Sequence, residues 1–399
     1  MNRSGGELKP VEVLEVLWRE LKDNYPMMEY AGFLDDSLLD EYRGRVMEAS
    51  DWASAYRLME ELVNRLNDYH TRLEWPGKPV LLTPPIRLTL VEEGVIAVLE
   101  ADKSTSLKPG DVVLAVDDVD AMKTFQGLLE RAFGATVYAR RRWALTQMLL
   151  GKPGSRVKLT VYRLGAGVFD VRLVRRRWSR GGKVVSYRRL NAEAGYIRIA
   201  AFLEGAGFTK LFDDALEALR ETKYLVIDVR DNGGGSDGSA EAVIGRFIDR
   251  PVLCSISFLR RPGTNVYDKA VAVAKPRGPW RYKGRVAVLI NAGCCSACEH
   301  FVSGMREAGA LLVGEPTTGA CGWSRRINLP GGAVLYVSKT FPIHGKTPSP
   351  LNGIRPHVEV RLSLRDLREG RDKVLETALE ALEVEGGWFE PPDFDLSLL

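Results

Sequence analysis

Residues 285–319 read RVAVLINAGCCSACEHFVSGMREAGALLVGEPTTG, and this stretch decides the fold class. The run VAVLI (286–290) is apolar without alternation, as expected of a strand covered on both faces. It stops at Asn291-Ala292-Gly293. ACEHFVSGMREA then spaces its apolar residues at helical intervals, and ALLVGEP returns to a continuous apolar run. Strand, helix, strand at this spacing predicts a parallel pair with a crossover helix. Moving outward, GYIRIAAF, YLVIDVR and AVLYVSKTFPI read as further strands. FTKLFDDALEALRE, SAEAVIGRFI and REGRDKVLETALEALEV read as helices. Residues 181–399 are therefore expected to form an α/β core with a mostly parallel sheet.

The preceding segments have a different character. VEVLEVLWRELKDNY and DSLLDEYRGRVMEASDWASAYRLMEELVNRLND repeat apolar residues every three or four positions, which predicts an N-terminal helical domain over 1–76, closed by Trp75-Pro76-Gly77. Residues 77–180 carry short β-type runs around one long helical insertion, FQGLLERAFGATVYARRRWALTQMLL. Within them SLKPGDVVLAVDDVDA, followed later by GSRVKLTVYR, resembles a PDZ domain, a module that takes an extended peptide as an added strand. The alternative is a plain β-rich packing module. The chain thus reads as an α/β multidomain protein.

Composition narrows the functional classes. The 399 residues are 45% hydrophobic and 27% charged with a formal charge of +4, which excludes wholesale disorder and is too slight to argue for nucleic acid. The basic runs Arg140-Arg141-Arg142 and Arg175-Arg176-Arg177 are expected on solvated surface. No run approaches the roughly 18 apolar residues of a membrane span, and MNRSGGELKPVEV lacks a signal-peptide core. A cytoplasmic protein without a membrane partner is the expectation.

Three segments carry chemistry. Ser296 stands where a strand gives way to a helix; its hydroxyl would sit at the carboxyl edge of the sheet, beside the unpaired N–H groups of the first helical turn, starting with Ala297. An ordinary N-cap serine would have the same sequence signature. The loop Asp231-Asn232-Gly233-Gly234-Gly235 follows another strand, and its glycines allow close backbone approach and a second oxyanion donor. It matches neither dinucleotide nor P-loop spacing, so phosphate binding is disfavoured, although a nucleotide-binding α/β enzyme using Gly233-Gly234-Gly235 is a rival reading. Finally, His70 in Asn67-Asp68-Tyr69-His70-Thr71 lies at a module boundary, and an imidazole suits a general base for serine.

Taken in order, these segments resemble the S41 serine peptidases, the family of C-terminal processing proteases, tricorn core proteases and interphotoreceptor retinoid-binding protein. The likeness runs through D-x-H-T (68–71), the PDZ-like module, D-x-R-x-N-x-G-G (Asp228, Arg230, Asn232, Gly234, Gly235) and S-x-x-E (Ser296, Glu299). It continues through V-G-E-P-T (313–317), Gly353-Ile354-x-Pro356 and G-R-D-x-V-L (370–375). It implies a ClpP/crotonase-like core and a hydrolase in which Ser296 is the nucleophile and His70 the base. Ala297 and Gly234 would form the oxyanion hole, with Tyr69, Gly233, Gly235, Glu299 and Cys295 lining the site. No metal or cofactor is implied. The substrate would be peptide or unfolded polypeptide, and the reading allows a homo-oligomer.

The family's Ser–Lys style is excluded at the expected position, which here is Ala320. The histidine style brings a serine before the His, here Tyr69, and a Glu before the Gly-Ile segment, where this chain reads Pro348-Ser349-Pro350-Leu351-Asn352. The group orienting His70 is thus unidentified. Those departures motivate the second reading, a weak or non-catalytic relative that binds peptide or another ligand. Cys294, Cys295, Cys298 and Cys321 cluster around Ser296 and admit three readings: small buried hydrophobes, a disulfide involving Cys321, or metal ligands.

Overall fold

The computed structural model describes residues 8–27, 34–179, 181–320, 322–343 and 353–384. Cys321, His344 and the stretch 348–352 named above lie outside the described residues. At the centre is a six-stranded sheet. Its order is Val358–Glu359, Leu311–Gly314, Arg285–Ile290, Tyr224–Asp228, Ala194–Ile199 and Val185–Arg189. Every neighbouring pair is parallel except the last. The continuous apolar runs follow from burial on both faces. Leu225, Ile227, Val288 and Ile290 pack beneath the helices Ala206–Ala218, Asp237–Ile244 and Ala297–Glu307. Val226, Ala287 and Leu289 alternate to the other face, under the helix Lys373–Glu383.

Residues 86–174 form an antiparallel sheet ordered Ile86–Leu90, Ile96–Ala101, Val112–Val116, Arg156–Arg163, Gly167–Val174. The expected single helical insertion is two helices, Ala121–Leu129 and Val137–Gln147, because the chain turns between them through Gly134 at φ 131°. In the N-terminal block, Asp35 and Asp51 accept hydrogen bonds from the Leu38 and Ser54 N–H groups and so begin two of its helices.

Two expectations need correction, and between them stands one hairpin that the sequence reading passed over. AVLYVSKTFPI is two strands in different sheets, divided at Lys339, whose N–H donates to the Trp323 carbonyl. Val334–Ser338 joins Arg72–Glu74 and Ser324–Asn328, and its Leu335 and Val337 enter the core of the N-terminal helices. Thr340–Ile343 instead pairs with a long hairpin, Val252–Arg260 and Tyr267–Ala274, which the sequence pattern did not reveal. Second, the basic runs are not simply solvated. Arg175 is buried and donates to the carbonyls of Leu149 and Arg156, while Arg142 pairs with Asp231 of the core. Among the described residues, no helix is long and apolar enough to cross a membrane.

Candidate active site

The strand Arg285–Ile290 ends in a turn, and the helix Ala297–Glu307 begins immediately after Ser296. Ser296 has φ 58° and ψ −127°, a conformation L-residues avoid, worth about 1–3 kcal/mol of strain. Its side chain makes no capping hydrogen bond, which separates it from the ordinary N-cap serine. Its backbone is held from outside, with the Ser296 N–H donating to Ala320 O at 2.8 Å. Ala297, at the first helical position, has no intrahelical acceptor for its N–H.

The S-x-x-E spacing has a mechanical reason. Three residues on, Glu299 lies on the same side of the helix as Ser296 and reaches the segment 317–320. Its carboxylate accepts from the Thr317 hydroxyl, from Gly319 N–H at 2.8 Å and from Ala320 N–H at 2.9 Å. Glu299 therefore fixes the backbone that in turn fixes Ser296. It was expected to line the site, yet it is 1% exposed and acts as a brace behind it. Burial outweighs the hydrogen bonds and pushes its pKa up to about 7. Thr317 also exchanges bonds with Ile354, which ties V-G-E-P-T to the Gly-Ile-x-Pro segment.

In the glycine-rich loop, a Cβ on Gly234 would lie 2.6 Å from Cys295 O, 2.8 Å from Ser296 Cβ and 2.9 Å from Ala297 N. Only a glycine permits this approach. The Gly234 N–H, however, donates to Asn232 Oδ1 at 2.8 Å rather than standing open to the cleft. Asn232 organises the loop through both ends of its amide, giving its Nδ2–H to Ile199 O, while its carbonyl accepts from Cys295 N–H. Gly233 and Gly235 are exposed. The flanking motif residues are structural: Asp228 accepts from Arg230, Tyr196 and Arg198, and Arg230 forms a two-pronged bond to Asp372, the N-cap of Lys373–Glu383. That accounts for the G-R-D motif.

His70 is carried by a turn that Asp68 organises. The Asp68 carboxylate accepts from His70 N–H at 2.9 Å, from Thr71 Oγ1 at 2.7 Å and from Ser338 Oγ at 2.6 Å. Ser324 Oγ donates to the His70 carbonyl. His70 is thus positioned by the sheet that covers the N-terminal helices. Its Nδ1 is buried without a hydrogen-bond partner among the described residues. Desolvation lowers its pKa, and the nearby Asp68 carboxylate opposes that shift. Tyr69 and Cys295, the residues immediately before His70 and Ser296, interact electrostatically, so the two segments share one neighbourhood. Burial pushes Tyr69 up to about 12, and its hydroxyl donates to Phe133 O at 3.3 Å. Burial also raises the Cys295 thiol, whose Sγ faces Ala320 O.

Other candidates lie elsewhere. His300, a buried residue of the helix that follows Ser296, bonds Glu241 and Ser255, and its pKa is pushed up to about 10: burial acts against the charge, but Cys254 and Glu241 outweigh it. His357 accepts from Leu312 N–H. Cys254, Cys294, Cys295 and Cys298 are free thiols, with Cys294 Sγ donating to Val229 O.

Sequence reading placed Asp231 at the start of the glycine-rich loop but missed its partners. At φ 63° it turns its carboxylate to Arg87 at 2.8 Å and Arg142 at 2.6 Å, joining the antiparallel module to the loop beside the site. An aspartate next to a glycine loop carries no sign of its partners.

Comparison with known proteins agrees with this architecture. The chain is 29% identical over 224 residues to the chloroplastic carboxyl-terminal-processing peptidase 2 of Arabidopsis thaliana, covering 53% of this chain and 38% of that protein. It is 24% identical over 318 residues to the carboxy-terminal processing protease CtpA of Bacillus subtilis, covering 77% and 59%. The chain thus spans less than two thirds of these relatives. Mature CPAF has the same fold, with a TM-score of 0.77 at 14% identity over 96% of this chain and 99% of that one. The photosystem II D1 C-terminal processing protease superposes with a TM-score of 0.54 at 18% identity, over 95% and 98%. Residues 193–360 match the model of peptidase family S41.

Proposed function

We propose that the chain is a serine-type peptidase acting on peptides or unfolded polypeptides. The observation that carries this reading is Ser296, held at positive φ at the end of a buried strand with its side chain unused for capping. In this reading the Ser296 hydroxyl adds to the scissile carbonyl and His70 takes its proton. Charge on the carbonyl oxygen is met by the Ala297 N–H. Gly234 joins it only by exchanging its bond to Asn232. His70 then returns the proton to the leaving amine, and water resolves the acyl-enzyme by the same route. Lowering of the His70 pKa by burial favours the neutral base this requires.

The finer layout belongs to the same proposal: a helical block over 1–76, a PDZ-like module over 77–180 and a ClpP/crotonase-like core over 181–399. Support for the PDZ-like assignment is the edge strand Ile86–Leu90, which pairs on one side only within its sheet and leaves an edge for an extended peptide. A fluorophosphonate probe is expected to label the wild-type chain at Ser296 and to leave Ser296→Ala unlabelled. Failure to label, with peptide cleavage unchanged in Ser296→Ala, would overturn the assignment.

A further inference from the structure

The two helices of the antiparallel module, Ala121–Leu129 and Val137–Gln147, are joined by a turn that reaches out of its own module. Phe133 in this turn packs edge-on against Trp143, with ring centroids 5.6 Å apart, and Trp143 lies against the module's apolar core. The Gly134 carbonyl accepts from the Arg140 guanidinium at 3.1 Å. The turn is therefore tied twice to the second helix.

On its outer side the turn meets both halves of the candidate site. Towards His70, Tyr69 packs against Phe133 with ring centroids 5.0 Å apart, and its hydroxyl donates to the Phe133 carbonyl at 3.3 Å. The Gly134 N–H donates to Asn67 Oδ1 at 3.1 Å. A Cβ on Gly134 would stand 3.1 Å from the Tyr69 ring and hydroxyl, so the backbone closes over the phenol about as far as a glycine allows. Towards Ser296, Thr136 Oγ1 donates to the Thr317 carbonyl at 3.3 Å, and the Thr317 hydroxyl donates to Glu299.

The His70 ring depends on such support. Its residue's N–H and carbonyl are bonded to Asp68 and Ser324, but Nδ1 is buried without a hydrogen-bond partner among the described residues. With no bond at Nδ1 to turn it, the imidazole takes its aim from the backbone turn and from the residues packed beside it. We infer that Phe133 and Gly134 clamp Tyr69, and that Tyr69, so held, is a positioning residue for His70. One turn of the antiparallel module then sets the base against the nucleophile. The inference rests on the peptidase reading for what His70 does, and not for how it is held.

The test follows His70 by NMR in full-length chains carrying isotopically labelled histidine, with its signals assigned by their loss in His70→Gln. In the wild-type chain burial holds the imidazole below its ordinary pKa of 6.5. Asp68 on the same turn, Arg72 on the strand that follows and Asp237 on the helix after the glycine loop are the charges that act on it, and all three remain in every variant. Tyr69→Ala and Phe133→Ala are both expected to let water reach the ring and to raise its pKa toward 6.5, although Phe133 belongs to another module. His357, also held low by burial, is the internal control and should not move. Tyr69→Phe keeps the packed ring and should restore the wild-type titration. In both alanine variants the maximal rate of fluorophosphonate labelling should fall about 100-fold, the scale of a misplacement of about 1 Å, with the half-saturating probe concentration unchanged. The double variant should be no slower than Tyr69→Ala alone, because each substitution removes the same contact. An unmoved His70 titration in both alanine variants, a matching shift of His357, or additive losses in the double variant would overturn the clamp. Should Tyr69→Ala not fold, the Phe133→Ala titration decides alone. A wild-type chain that is never labelled at Ser296 would count against the peptidase reading, while the titration still decides the clamp.

Discussion

At Ser296 and His70, local geometry sets what each group can do. His70 is half-buried and its pKa is lowered from 6.5 by desolvation, so the imidazole remains neutral to lower pH than in water. The rate of fluorophosphonate labelling is therefore expected to stay level down to about pH 6.5 and to fall only below it; an acid limb centred above that value would contradict His70 as the base. Glu299 has the opposite sign. Its folded-state pKa of about 7 exceeds the model-compound value of 4.5, so the folded chain binds the extra proton. Its contribution to stability is full below pH 4.5 and is lost as pH rises through 7. Glu299→Gln should remove that slope. It should also cost about 1–3 kcal/mol, because an amide NH₂ would face the N–H of Gly319 or Ala320. Urea titrations at pH 5 and 8 would measure both effects, and an undiminished slope in the variant would exclude Glu299 as its source.

Elements place these residues, and the glycine-rich loop is the sharpest case. Gly233 has open space where a Cβ would stand, whereas Gly234 at φ 98° would drive one into the turn carrying Ser296. Gly233→Ala should change stability by less than about 1 kcal/mol. Gly234→Ala should abolish labelling of Ser296 and lower the melting temperature. Equal behaviour of the two variants, followed by thermal unfolding and labelling, would show that the loop does not pack against the serine turn as described. The S-x-x-E and D-x-H-T motifs are legible in the sequence because their internal bonds span two or three residues. Their outer contacts were not legible: Asp68 reaches Ser338, 270 residues on, and no local pattern announces that.

The whole molecule is joined through charges the sequence suggested were solvated. Asp231, with its side chain only 8% exposed, holds Arg87 and Arg142 of the antiparallel module against the core. Asp231→Ala would leave two cations without their shared partner beside the candidate site. It should destabilise the chain by about 3 kcal/mol, somewhat less if Arg142 turns to solvent. Hydrogen exchange should rise across residues 86–174, whereas unchanged protection there would mean that apolar contacts alone hold the module. The same scale explains the divided strand 334–343. Its first half closes the core over the N-terminal helices and its second half extends the hairpin, so one apolar run serves two sheets.

By itself the sequence determined the strand–turn–helix that carries Ser296, the glycine loop, the helical start of the chain and the alternation of the core. Each rests on periodicity or on hydrogen bonds between near neighbours, and those are written in consecutive residues. Only the tertiary structure decided that Glu299 braces the site from behind, that Gly234 gives its N–H to Asn232, and that Arg142 meets Asp231, 89 positions away. A buried charge or an orphaned donor selects its partner by distance and desolvation in the folded chain, and neither exists until distant segments have packed together.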